Sequence, residues 1–161
     1  METDAKQSHA ESAILQLVTF RVGREEYGLD ILNVREINKV MEFTRVPEAP
    51  EYIEGIINLR GQVIPVIDLR KILGLEKQAH DKDTRVVVVD IAGKTFGITV
   101  DGVKEVLRIS DNITEPPPDI TQSLGAGYVT AVAKLDDRLL FLLDVERITS
   151  LNYDADEARR N

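Results

Sequence analysis

Phe20-Arg21-Val22-Gly23-Arg24-Glu25-Glu26-Tyr27-Gly28-Leu29, followed by Val34-Arg35-Glu36-Ile37, decides the fold because the chain says it twice. It returns as Val89-Asp90-Ile91-Ala92-Gly93-Lys94-Thr95-Phe96-Gly97-Ile98, followed by Val103-Lys104-Glu105-Val106. Gly28 to Gly97 and Glu36 to Glu105 are both offsets of 69 positions, so the register holds without a gap. A second pair closes each half: Gln62-Val63-Ile64-Pro65-Val66-Ile67-Asp68-Leu69 with Ile72 matches Arg138-Leu139-Leu140-Phe141-Leu142-Leu143-Asp144-Val145 with Ile148. Two copies are too few to stack into an array, so this is a duplicated unit and not a solenoid.

Within each copy the pattern is that of short strands. Ile14 to Val22, a glycine-containing turn at 23–26, and Tyr27 to Ile31 predict a hairpin. Leu32 to Val40 is ambiguous. Asp30, Val34, Ile37 and Met41 would share a helical face, whereas Val34, Glu36 and Asn38 alternate against their neighbours. The matching stretch 103–109 is richer in β-branched residues, which places both as strands. Pro47 and Pro50 in the first copy and Pro116-Pro117-Pro118 in the second punctuate a loop, since proline lacks a ladder donor. Hairpins follow at Ile53 to Ile67, turning at Arg60-Gly61, and at Tyr128 to Leu143, turning at Asp136-Asp137. Asp68 and Asp144 stand where short helices begin and offer acceptors to free backbone N–H groups.

These elements predict a mainly β fold of two small barrels related by the duplication, with a short helix after each. The expected organisation is a tail over 1–13, a single domain over 14–151 and a tail over 152–161. Within the domain the first barrel spans about 14–75 and the second about 84–151, joined by a polar surface linker at 76–83. Each copy alone is below the roughly 80 residues at which one core suffices, so the two should fold as one unit.

Composition limits the function. With 43% hydrophobic residues and no cysteine, the chain buries a core without disulfides or thiolate metal sites. A net charge of −8 argues against nucleic acid or an anionic membrane as ligand. Residues 1–12 are polar, 13–20 are too short for a signal core, and nothing approaches a spanning segment, which points to the cytoplasm. The only histidines, His9 and His80, fall in the polar tail and the linker, where solvation is the plain reading. No zinc pair, phosphate loop or serine with a base in a recognisable motif is present. Asp101-Gly102 reads as a β-turn, and the pairs Glu25-Glu26 and Asp136-Asp137 as solubilising turn residues. The expectation is no catalytic residue, no metal and no cofactor.

The copies differ most where Asn58-Leu59-Arg60-Gly61 aligns with Lys134-Leu135-Asp136-Asp137. An arginine beside a glycine at a hairpin tip projects a five-donor fork while the glycine supplies positive φ. The plain alternative is that Arg60 simply pairs with a carboxylate, with Glu36 as the candidate.

These residues resemble the CheW family of chemotaxis adaptors. The likeness rests on Tyr27-Gly28-Leu29-Asp30-Ile31, Val34-Arg35-Glu36-Ile37, Gly55-Ile56-Ile57-Asn58-Leu59-Arg60-Gly61 and Pro65-Val66-Ile67-Asp68-Leu69-Arg70. It continues through Gly97-Ile98-Thr99-Val100-Asp101-Gly102-Val103 to Leu142-Leu143-Asp144-Val145, covering about residues 14 to 151. The resemblance implies two intertwined five-stranded SH3-like β-barrels. It further implies a non-enzymatic adaptor that couples the cytoplasmic tips of methyl-accepting chemoreceptors to the regulatory domain of the histidine kinase CheA. Such an adaptor is cytoplasmic, recruited to membrane-associated arrays without inserting in the membrane. By the same resemblance Val34, Glu36, Ile37, Gly55, Asn58, Arg60, Gly61, Val100 and Val103 bear on receptor binding, and Glu115 and Ile120 on kinase binding. Glu115 stands where some relatives carry a basic residue, and three prolines follow it. Alternative readings are an adaptor of a non-flagellar chemosensory pathway and the adaptor-like part of CheV or CheA. CheV would add a receiver domain after residue 151, and CheA would add upstream ATP-binding motifs. A barrel that binds a small molecule or sugar is disfavoured by 5% aromatics and no tryptophan.

Overall fold

The computed structural model describes residues 13–117 and 127–151. The expected tails, apart from Ala13, and also Pro118 and Ile120 lie outside these residues. Eleven strands run in order: β1 (Ile14–Val22), β2 (Glu25–Asp30), β3 (Val34–Lys39), β4 (Ile53–Leu59), β5 (Gln62–Asp68), β6 (Arg85–Ile91), β7 (Lys94–Val100), β8 (Gly102–Ser110), β9 (Thr114–Glu115), β10 (Val129–Lys134) and β11 (Leu139–Leu143). Two short helices, α1 (Leu69–Ile72) and α2 (Val145–Thr149), follow β5 and β11. Each begins at the expected aspartate. Asp68 Oδ1 accepts from Arg70 N at 3.0 Å and Asp144 Oδ1 from Arg147 N at 3.1 Å, satisfying N–H groups that a helix start leaves free. The ambiguous stretch 34–39 is a strand, preceded by a 3₁₀ turn at Ile31–Asn33. Asp30 Oδ1 takes Leu32 N at 2.9 Å, which stops β2 one residue short of the expected Ile31.

The strands form two sheets, ordered β3-β6-β7-β5-β4 and β8-β1-β2-β11-β10-β9. The two barrels are intertwined, as the resemblance implies, so neither is built from one copy's residues alone. The first copy's hairpin β1–β2 belongs to the sheet of the second copy's β8, β10 and β11, and the second copy's hairpin β6–β7 belongs with β3, β4 and β5. Each copy lends its first hairpin to the other. The second sheet also gains a sixth, two-residue strand, β9, paired to β10.

The lent hairpins join their hosts by parallel pairing, Phe141↔Tyr27 and Leu142↔Gly28 in one sheet, Val66↔Gly97 and Ile67↔Ile98 in the other. In the second copy the packing leaves no room for a side chain at the motif's glycine. A Cβ at Gly97 would stand 2.8 Å from Val86 Cγ1 and 3.3 Å from Val66 Cγ2, closer than packed carbons tolerate.

Three apolar clusters result. One lies within the first sheet (Ile57, Leu59, Ile64, Val66, Val86, Val88) and one within the second (Leu17, Ile109, Ala133, Leu140). The largest lies between them and includes Phe20, Leu29, Ile67, Val87, Val89, Ile98, Phe141 and Ile148. Strand β6 explains its own composition: Val86 and Val88 face the barrel interior, Val87 and Val89 face the other barrel, and all four are fully buried. A strand covered on both faces reads as a continuous apolar run. Asp101 stitches three elements at this junction, its Oδ2 accepting from Gly23 N at 2.7 Å and Arg70 Nη1 at 2.5 Å. Among the described residues no helix is long and apolar enough to cross a membrane.

Candidate functional site

β3 is an edge strand, hydrogen-bonded on one side only, to β6. At the other end of the same sheet β4 and β5 meet in a two-residue turn, Leu59 pairing with Gln62 across Arg60-Gly61. Both turn residues have positive φ, 53° at Arg60 and 88° at Gly61, the type I′ geometry whose twist matches the flanking strands. Gly61 is thus not alone in supplying the left-handed turn, since Arg60 is held there as well. Asn58 Oδ1 accepts from Gly61 N at 2.8 Å and braces the tip.

The tip reaches β3 through a bidentate clamp. Arg60 Nη1 donates to Glu36 Oε2 and Nη2 to Oε1, both at 2.8 Å. Arg35 Nη1 adds a bond to Gln62 Oε1 at 2.9 Å. Together these side chains tie the free edge of the sheet to the hairpin at its far end. Arg60's hydrogen bonds hold the Glu36 carboxyl down to about 2, with the charges of Arg60 and Arg35 contributing. The carboxylate is mostly covered while the Arg60 side chain is 66% exposed, so the fork's back remains open to a partner.

The second sheet has a matching clamp that the sequence comparison missed. Arg138, in the β10–β11 turn, donates from Nη2 to Glu105 Oε2 at 3.1 Å, and Glu105 on edge strand β8 is the counterpart of Glu36. Arg138 also donates from Nε to Glu26 Oε1 at 2.7 Å. Glu26 is therefore not a solubilising turn residue: it lies in β2, 8% exposed, because the guanidinium compensates its burial. Arg138 aligns with Gln62, not Arg60, so a cation two residues further along does the same work. The conserved partner within the repeat, Glu105, was the signal that could have found it.

The structure brings Val34, Glu36, Asn58, Arg60 and Gly61 onto one end of the first sheet, with Ile37 exposed on the same edge strand. It does not bring the others there. Val100 is fully buried in the core between the sheets and has no surface to offer a partner, so its place in the binding set is corrected to a packing role. Gly55 is also buried, at a bulge where a Cβ would lie 2.7 Å from Thr44 O; its task is to let the 43–44 segment cross β4. Val103 sits on β8 in the other sheet, 36% exposed, two residues before Glu105. Val106 on the same strand and Leu32 in the 3₁₀ turn are more exposed and were not singled out. Glu115 on β9 pairs with Lys134 Nζ at 2.6 Å across an exposed surface, so the acid is locally neutralised. Among the described residues no group of three or more histidine, cysteine or acidic side chains could hold a metal.

Strand edges, hairpin tips and scattered exposed aliphatics on a rigid double barrel define a protein-binding scaffold of the all-β class. Residues 16–152 match the family model of the CheW-like domain. The chain is 37% identical over 135 residues to the chemotaxis protein CheW of Klebsiella aerogenes, covering 84% of this chain and 81% of that one. It is 39% identical over 140 residues to the chemotaxis protein CheW of Helicobacter pylori, covering 87% and 84%. Among solved structures, the scaffolding protein CheW of Thermoanaerobacter tengcongensis superposes with a TM-score of 0.77 at 44% identity, over 82% of this chain and 90% of that one. This chain belongs to the CheW family of chemotaxis adaptors.

Proposed function

We propose that this adaptor couples the cytoplasmic tips of methyl-accepting chemoreceptors to the regulatory domain of a CheA kinase, acting without catalysis, in the cytoplasm, at receptor arrays. The observation that carries the reading is the Glu36–Arg60 clamp at an open sheet edge, in a chain whose family is an adaptor family. The receptor tip would meet Val34, Glu36, Ile37, Asn58, Arg60 and Gly61, with Val103 contributing from the neighbouring sheet. The kinase would meet the region of Glu115, and of Ile120 beyond the described residues. An exposed aliphatic edge with a charged rim suits this, since apolar anchors supply affinity and rim charges supply selection and encounter rate.

The test is a calorimetric titration of the protein with a CheA regulatory domain and, separately, with a receptor-tip fragment. Arg60→Gly is the informative variant because glycine keeps the positive φ of the turn while the fork is lost. Binding should saturate for the wild type and weaken about tenfold or more, roughly 1.4 kcal/mol, for at least one partner. A folded Arg60→Gly protein that binds both partners as well as wild type would remove Arg60 from the interface. Failure of the wild type to bind either partner would sink the coupling role.

A further inference from the structure

The segment joining the two copies runs over the surface, as expected, but is tied down at several points. Arg70 Nε donates to Glu76 O at 2.8 Å, His80 Nε2 lies 3.0 Å from Glu54 Oε2, and the His80 ring stands edge-on to Phe43 at 5.7 Å. Lys77 Nζ is 3.8 Å from Glu54 Oε1, and the Glu54 side chain is only 3% exposed. His80 stays at the surface while also pinning this strap to the first barrel through Glu54 and Phe43.

What the strap covers is unusual for a barrel interior. Along β5, Ile64 and Val66 point into the apolar cluster, and the next residue on that face is Asp68. On β7 the corresponding positions are Gly97 and then Thr99, which pairs in register with Asp68. Ahead of β6, Thr84 precedes Val86 on the same alternation. Asp68, Thr84 and Thr99 are 5%, 6% and 5% exposed. Thr84 Oγ1 accepts from Asp81 N at 2.8 Å, whereas among the described residues no group bonds Thr99 Oγ1. These residues share a small, partly open pocket of about 10 Å³ with His80, Arg70 and Asp101. Burial, with Glu54 nearby, pushes the Asp68 carboxyl above its ordinary range.

A buried hydroxyl without a partner costs roughly 1–3 kcal/mol, and native proteins meet that cost with ordered water where the space is polar and about one water in size. We propose that this pocket is a one-water site in which a single buried water links Thr99 Oγ1 to the Asp68 carboxylate and plugs the first barrel beneath the strap.

The proposal is independent of any partner and is tested on the full chain by a crystal structure that shows ordered solvent, with thermal unfolding of Thr99→Val and Thr99→Ser. The expected result is ordered density within hydrogen-bond reach of Thr99 Oγ1 and Asp68, a melting temperature lowered by a few degrees in Thr99→Val, and near wild-type melting in Thr99→Ser. The two signs are opposed. In a dry pocket, replacing an unpartnered hydroxyl by a methyl raises stability. No density, a Thr99→Val protein that melts at or above wild type, or an equal loss in both variants overturns the proposal.

Discussion

Arg60 clamps Glu36 and still keeps most of its side chain in solvent. Its two Nη groups are spent on Glu36, yet two thirds of the side chain is open to solvent. The fork is thus ordered before any partner arrives, which lowers the entropy that binding must overcome. The clamp also carries a pH signature. The Glu36 carboxyl drops from 4.5 to about 2 on folding, so its stabilisation is fully present above pH 4.5 and is lost as pH falls toward 2. Urea unfolding should therefore show wild type more stable than Glu36→Gln at neutral pH, with the gap narrowing between pH 4.5 and 2. A gap that stays constant across that window would mean that the ion pair does not stabilise the fold. The sequence offered Glu36 only as a candidate partner of Arg60, and the fold decided that the two touch. Arg138 was not, because its clamp is shifted by two positions and only the folded turn brings it to Glu105.

At the scale of elements, the two copies use the same pieces and finish them differently. The β4–β5 hairpin turns in two residues, whereas β10–β11 needs the four-residue loop 135–138, closed by Leu135 N donating to Arg138 O at 2.9 Å. The tight turn makes a narrow tip that projects Arg60; the wider one lets Arg138 fold back onto β2 and β8. β4 also has a bulge at Gly55, where the 43–44 segment crosses and bridges Thr44 to Ile56 through two bonds of 2.9 Å. A methyl group at Gly55 would force that crossing apart. Gly55→Ala should cost about 1–3 kcal/mol of stability, read as a lower urea midpoint with an unchanged slope. Because Gly55 is buried, the same variant should keep partner affinity at temperatures where it is folded; a loss of binding without a loss of stability would restore Gly55 to the interface.

For the whole molecule, the exchange of first hairpins is the governing fact. Neither half owns a complete sheet: residues 14–30 complete the second barrel, and residues 85–100 complete the first. The intact chain should unfold in one cooperative urea transition. When the chain is cut between Gln78 and Ala79, each piece alone should lack a cooperative transition, and mixing the two should restore one, followed by circular dichroism. A piece that folds by itself would show that a half can close its own barrel. Much of this architecture was written in the sequence. The repeat at 69 positions, the alternation of strands, the capping aspartates and the hairpin tips are all local or periodic signals, and each residue type carries its own reason. The valine run 86–89 was a further signal, of a strand buried on both faces, that the fold made plain. Which hairpin completes which barrel was decided only in three dimensions, because identical motifs in both copies make exchanged and unexchanged pairings equally compatible with the pattern. The burial of Val100, the role of Glu26 and the seating of His80 were settled there too. Each depends on what long-range packing places opposite the residue, which no local pattern encodes.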